Sequence, residues 1–172
     1  GAILVSRDAV AGCTSIVVNG HGNADRVAQD ETSGLALLRI YGATGLKALA
    51  MRPSRNGSPD VIVTGIADPE RQAGHAAVTS IKAIAGGNTG ALSPDPGAGF
   101  AGAAVTGAAD GNFAGVVRLK PATVAGPAAA AATAELVSAS AVQAFLRAHH
   151  VSPASGQNDT KAAVLRIICV RK

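Results

Sequence analysis

Aromatic residues are nearly absent from this chain, which has no tryptophan, one tyrosine and three phenylalanines among 172 residues. A core must therefore be assembled from Ala, Val, Ile and Leu, and stacking platforms of the kind that hold single-stranded nucleic acid are excluded. No run of eighteen apolar residues occurs, which removes a membrane-spanning helix. The chain opens on the strand-like Ala2-Ile3-Leu4-Val5 without a preceding basic segment, so no signal peptide is expected. Cysteines number two, Cys13 and Cys169, and neither a Cys-x-x-Cys nor a Cys/His metal spacing exists. They read as buried thiols or, in an oxidising compartment, as a disulfide. Lys and Arg exceed Asp and Glu by 15 to 11, but Arg171-Lys172 is the one adjacent basic pair. Without a clustered basic face, no nucleic-acid partner is expected.

What the chain does contain is glycine, 21 residues of it, and short apolar runs between turn signals. Ala2 to Val5, Thr14 to Asn19, Ala24 to Gln29, Leu35 to Tyr41 and Val61 to Thr64 read as strands, and Ala76 to Ala85 as a pair of strand pieces. Ser6 to Cys13 reads as a short helical turn with Ser6 as its cap. Gly20-His21-Gly22-Asn23 is a hairpin turn and Asp30 to Gly34 a loop. Strands at this spacing predict an all-β barrel or sandwich. Residues 42 to 60 are loop-rich, which places a division near residue 65 between a first unit, 1–65, and a second, 66–172.

The second unit is organised around residues 99 to 117. Gly99 and Gly102 frame a tight turn, Ala103 to Thr106 form a strand, Asp110-Gly111-Asn112 turn the chain, and Phe113 to Leu119 return it. The preceding segment, Gly86 to Gly99, reads as a loop. Pro121 to Ala134 is low in complexity, and its alanine run fits a loop or a helix equally. Ser138 to His149 predicts a helix, because Val142, Phe145 and Leu146 share one apolar face and Ser138 or Ser140 can cap it. Ala162 to Val170 reads as a final strand after the polar loop Ser155 to Thr160.

No carboxylate lies three or four residues from His149 or His150. His21 lies in a turn, His75 in a glycine-rich loop, and His149-His150 at the helix end, where an imidazolium suits the helix dipole. Asp68-Pro69-Glu70 and Asp95 read as surface loop carboxylates. No metal and no cofactor is expected.

Three segments carry a resemblance. Leu4-Val5-Ser6-Arg7-Asp8-Ala9-Val10-Ala11-Gly12-Cys13 is similar to a Leu-Thr-Asn-Ala-His-Val-Val-Ala-Gly-Cys stretch. Asp30-Glu31-Thr32-Ser33-Gly34-Leu35-Ala36-Leu37-Leu38-Arg39 is similar to Asp-Pro-x-x-Asp-Leu-Ala-Leu-Leu-Arg. Gly99-Phe100-Ala101-Gly102-Ala103-Ala104-Val105 is similar to Gly-Asn-Ser-Gly-Gly-Pro-Val, with the Asp110 to Val117 hairpin behind it. Together they resemble the bacterial trypsin-like serine proteases of the chymotrypsin fold, the group that includes the HtrA proteases.

That resemblance implies two six-stranded-type barrels with one C-terminal helix. The first barrel is short of the opening Gly-x-Gly-Phe-like strand that such domains carry. It also implies a lost active site, with Asp8 at the position of the general base, Gly34 at that of the orienting acid and Ala101 at that of the nucleophile. Acyl transfer needs all three side chains. Only the backbone N–H groups of the Gly99-Phe100-Ala101 turn persist as an oxyanion-loop remnant. A rival loop, Gly87-Asn88-Thr89-Gly90-Ala91-Leu92, offers Thr89 as a hydroxyl without the hairpin behind it.

The expectation is therefore a catalytically inactive trypsin-like domain, a pseudoprotease that binds a protein or peptide in the periplasm or cell envelope of a bacterium. The partner would be an upstream segment of its own precursor or another subunit. The alternatives are a hydrolase using Thr89 and a structural subunit of a larger envelope complex.

Overall fold

A computed structural model of the chain describes residues 1–52, 58–69, 71, 77–87, 89–120, 132–153, 156 and 158–171. The first half holds β1 (Ala2–Ser6), β2 (Ser15–Val18), β3 (Gly22–Asn23), β4 (Asp25–Asp30) and β5 (Leu35–Arg39), with a 3₁₀ turn over Arg7–Val10. The second holds β6 (Asp60–Gly65), β7 (Thr79–Ala85), β8 (Leu92–Ser93), a 3₁₀ turn over Ala98–Phe100, β9 (Ala104–Gly107), β10 (Phe113–Lys120) and β11 (Thr133–Ser138). Helices α1 (Ala139–Ala148) and α2 (Thr160–Ala163) and strand β12 (Ile167–Val170) complete the chain.

All pairing is antiparallel. β6 to β11 form a six-stranded sheet in the order β11-β10-β9-β6-β7-β8, and a bridge between Ala91 and Glu135 joins its two ends into a nearly closed barrel. The first half forms two three-stranded sheets, β1-β5-β4 and β12-β2-β3. The six-stranded sheet thus begins at Asp60, ahead of the division placed near residue 65, and the last strand crosses back to pair with β2.

β5 shows why an unbroken apolar run becomes a strand here. Leu35 and Leu37 pack with Phe113, Val116, Val142, Phe145 and Leu146, while Ala36 and Leu38 pack on the opposite face with Val5, Val10, Ile16 and Val18. A strand covered on both faces loses the polar alternation of a half-exposed one. The barrel interior is a third cluster, built from Val61, Val63, Val105, Val117 and Phe100. Burial of each such side chain contributes about 1.5–3 kcal/mol. Cys13 and Cys169 are joined in a disulfide that ties the connection between the 3₁₀ turn and β2 to β12, with Cα atoms 5.2 Å apart.

Several boundaries differ from the sequence reading. Ser6 precedes the 3₁₀ turn, but its buried hydroxyl makes no capping bond and has no hydrogen-bond partner among the described residues. Strand β7 is one continuous piece from Thr79, and Ala76 lies outside the described residues. The alanine-rich segment gives way to a full strand, β11, where neither a loop nor a helix had been separated from it; residues 121–131 lie outside the described residues. The final strand is shorter than Ala162 to Val170, because the Asp159 carboxylate accepts the Ala162 N–H at 3.1 Å and starts the turn of α2. Helix α1 is capped as expected, the Ser138 hydroxyl accepting the Ala141 N–H at 3.3 Å.

Candidate functional site

Two of the three positions singled out by the sequence resemblance meet at one cavity. Asp8 sits in the 3₁₀ turn that follows β1, and Ala101 follows the 3₁₀ turn that precedes β9; both line a cavity of about 830 Å³ between the two halves. Its walls are otherwise mainly apolar, contributed by β1, by residues 46–51 and by residues 163–167. Among the described residues Asp8 is its one carboxylate, Lys47, Arg166 and Arg171 are its cations, no histidine or cysteine lines it, and its one hydroxyl is Ser152, exposed beyond the end of α1.

The turn at Ala98–Phe100 has the shape its glycines require. A Cβ on Gly99 would lie 1.9 Å from the Ala67 carbonyl oxygen, so no other residue fits there without moving backbone. Gly102, with φ +84°, brings the loop against β1, where a Cβ would stand 3.2 Å from the Ser6 nitrogen. Phe100 is buried and plugs the barrel end beneath Gly65. The Ala101 N–H is donated to the Ala98 carbonyl at 3.1 Å. One of the two N–H groups of the expected oxyanion site is thereby engaged within the turn itself.

Gly34 stands apart from the cavity. Its carbonyl accepts the Arg7 N–H at 2.8 Å, which links it to the Asp8 turn, but its own φ is +69° and the Arg118 Cδ lies 3.1 Å from where its Cβ would be. Arg118 is held there by three contacts. Its Nε and Nη2 donate to Glu135 Oε2 at 3.2 and 2.9 Å, and its Nη1 donates to the Thr32 carbonyl at 3.0 Å. Lys120 adds a second cation to Glu135 at 3.3 Å. Glu135 is buried, and a buried carboxylate is tolerated only when paired in this way.

Asp30, at the end of β4, accepts the Ser33 and Thr32 N–H groups at 2.7 and 3.4 Å. The nearby Ser33 hydroxyl and these N–H groups, aided by the charge of His149, hold its pKa below the ordinary value against an opposing effect of burial. This is a loop-building carboxylate, distant in role from the cavity.

The remaining candidates fall elsewhere. Thr89 lies in the turn between β7 and β8, where its hydroxyl accepts the Ala91 N–H at 3.3 Å, and it does not line the cavity. His149 packs edge-on against Phe145 at the end of α1 with ring centroids 4.7 Å apart. His75 and Glu70 lie outside the described residues. Asp95 is exposed, yet it clamps two segments, accepting the Gly97 N–H at 2.7 Å and the Ala134 N–H at 3.1 Å. Among the described residues no group of three metal-ligating side chains converges, and no helix is long and apolar enough to cross a membrane.

Sequence reasoning named the three positions but not the cavity, because its walls come from residues 46–51 and 163–167, which carry no motif. It also missed Arg118 and Glu135, whose pairing depends on β11.

Comparison with known proteins agrees on the fold. No protein-family model and no curated protein matches the chain. Among solved structures, a serine-to-alanine form of AlgW, an HtrA-type protease solved with a decapeptide, matches with a TM-score of 0.52 and 20% identity over 88% of this chain and 49% of that one. A serine-to-alanine mutant of Rv3671c from M. tuberculosis H37Rv, in an inactive form, matches with a TM-score of 0.52 and 20% identity over 89% of this chain and 79% of that one. The chain spans about half the length of the HtrA-type structure. It has the trypsin-like fold.

Proposed function

We propose that this chain is a trypsin-like domain without hydrolytic activity, which works by binding a protein or peptide partner in the periplasm or envelope of a bacterium. The observation that carries this reading is the make-up of the cavity where Asp8 and Ala101 meet: among the described residues it holds one carboxylate, no histidine, no thiol and only the rim hydroxyl of Ser152. Acyl transfer requires a nucleophile with a base in hydrogen-bond reach, and no described residue of the wall supplies that pair. The internal bond of the Ala101 N–H to Ala98 supports the same conclusion from the backbone side. What the cavity retains is shape, apolar surface and backbone groups, which are the means of recognition.

The disulfide supports a compartment outside the reducing cytosol. The similarity to an HtrA-type protease is consistent with the envelope. Hydrolysis through Thr89 draws no support from its surroundings, since its hydroxyl is engaged with its own turn.

Incubation of the purified chain with a fluorophosphonate probe and with a fluorogenic casein substrate tests the reading. No covalent labelling and no turnover above buffer are expected. Labelling of any residue that disappears on heat denaturation, or turnover that follows the chain through gel filtration, would overturn it.

A further inference from the structure

A groove of about 720 Å³ shares no lining residue with the cavity around Asp8 and Ala101. One wall is the end of β4 and the turn after it, with Asp30, Thr32 and Ser33. The other is α1, which presents Ala141, Ala144, Phe145 and Ala148, and Arg118 of β10 and Leu136 of β11 complete the lining between them. That size falls within the range of ligand sites.

Two opposite charges border this groove with one residue between them. Thr32 donates its N–H to Asp30 Oδ1 at 3.4 Å, and its carbonyl accepts from Arg118 Nη1 at 3.0 Å. The carboxylate and the guanidinium are therefore spaced to hold the N–H and the C=O of a single amino-acid residue, at most about 10 Å apart by covalent geometry. Neither group is used up. A carboxylate has about four lone-pair sites, and the Thr32 and Ser33 N–H groups take one each. A guanidinium has five N–H donors; among the described residues Glu135 takes two and Thr32 one, and the Arg118 side chain is 31% exposed.

What is left over selects the ligand. Asp30 stays ionised through neutral pH, and among the described residues it makes no ion pair. Arg118 is already balanced by Glu135, which Lys120 also approaches. The groove thus offers an unmatched anion to a cation and spare donors to a neutral acceptor. An α-ammonium followed by its own carbonyl supplies both at the spacing Thr32 shows. A lysine ammonium does not, because four methylenes separate it from its backbone. Beyond the charged pair, the small Ala141, Ala144 and Ala148 leave room along α1 for apolar side chains.

We propose that this groove captures the N-terminal residue of a peptide, with its ammonium on Asp30, its carbonyl accepting from Arg118 and the following uncharged side chains lying along α1. An N-terminus blocked by acetylation is excluded by the same chemistry.

The test uses the 172-residue chain and the peptide Ala-Leu-Ala-Leu carrying fluorescein at its C-terminus, followed by fluorescence anisotropy at pH 7, where an α-amino group is mostly charged. Saturable binding is expected. The same peptide acetylated at its N-terminus is expected to bind at least about tenfold more weakly. Asp30→Asn is expected to weaken the free-amine peptide by about tenfold and to erase the difference between the two peptides. Ala144→Leu fills the groove from an exposed helical position and is expected to weaken binding by a similar factor, which keeps the test decisive if Asp30→Asn fails to fold. Equal binding of the acetylated peptide, unchanged affinity in either variant, competition by free leucine as strong as by the unlabelled peptide, or no binding at roughly 1 mM each overturns the proposal. The hydrolysis assays probe the other cavity, so their outcome and this one are separate.

Discussion

Arg118 fills the space into which a side chain on Gly34 would project, its Cδ standing 3.1 Å from the position of the missing Cβ. The guanidinium is fixed by Glu135 and the Thr32 carbonyl, so this is an anchored occupant rather than a mobile one. The space beside Gly34 is closed by a cation, while Asp8 and Ala101 line the cavity, to which Gly34 does not contribute.

Introducing the three side chains of a serine-protease triad is therefore expected to yield no activity. In a triple variant carrying Asp8→His, Gly34→Asp and Ala101→Ser, the new carboxylate meets Arg118 first and takes a left-handed backbone that costs about 1 kcal/mol or more. The residue-101 N–H is still spent on Ala98, and loss of one oxyanion donor costs about 10²–10³ in rate. Fluorogenic-peptide hydrolysis by the triple variant should stay at the background of the unmodified chain. A rate more than about a hundredfold above it would mean the turn reorganises around substrate.

Removing the disulfide should be costly, because it spans a separation of 156 residues. On the chain-entropy view a loop of this length stabilises by up to about 5 kcal/mol, and native disulfides in practice contribute about 2–5. The Cys13→Ser, Cys169→Ser double variant is expected to lose stability within that range, read as a lower urea midpoint with a slope that rises because the unfolded chain is less compact.

How much of this could be read in advance depended on local periodicity. β5 and the Asp110-Gly111-Asn112 hairpin announce themselves through an apolar run and a turn triplet, and α1 through Val142, Phe145 and Leu146 on one face. β11 does not: Glu135 looks like a surface residue, and only pairing with Arg118 and Lys120 from β10 makes its burial tolerable. The first turn of α2 was masked by β-branched neighbours, although Asp159 supplies an N-cap signal. Positions 8, 34 and 101 were legible as motif positions. That Asp8 and Ala101 share a cavity from which Gly34 is separated is tertiary information.

Acid should act partly through Asp30. Its folded-state pKa is lowered from 3.8, so protonation is harder in the folded chain than in the unfolded one. The stabilisation is fully present above the unfolded value and is lost as pH falls through the folded value. An Asp30→Asn variant should be less stable than the parent at pH 7, with the difference closing as pH drops below about 4. Thermal midpoints of the two proteins across that range check the sign; a difference that widens with acid would be the wrong one.

Glycine substitutions should separate crowding from backbone strain. Gly99→Ala places a methyl on the Ala67 carbonyl oxygen and is expected to cost about 3 kcal/mol. Gly97→Ala meets nothing within 4 Å and carries only the cost of its φ of +85°, about 1 kcal/mol. Chemical denaturation of both variants should preserve that order.

The antiparallel pairing of β12 with β2 also sets an order of events during synthesis. Strand β12, made after every other described strand, completes the sheet begun at Ser15, so the first half waits for Ile167 before its edge is covered. The six-stranded barrel has no such dependence and can close once β11 has emerged. During elongation, the exposed flank of β2 is where a chaperone would be needed.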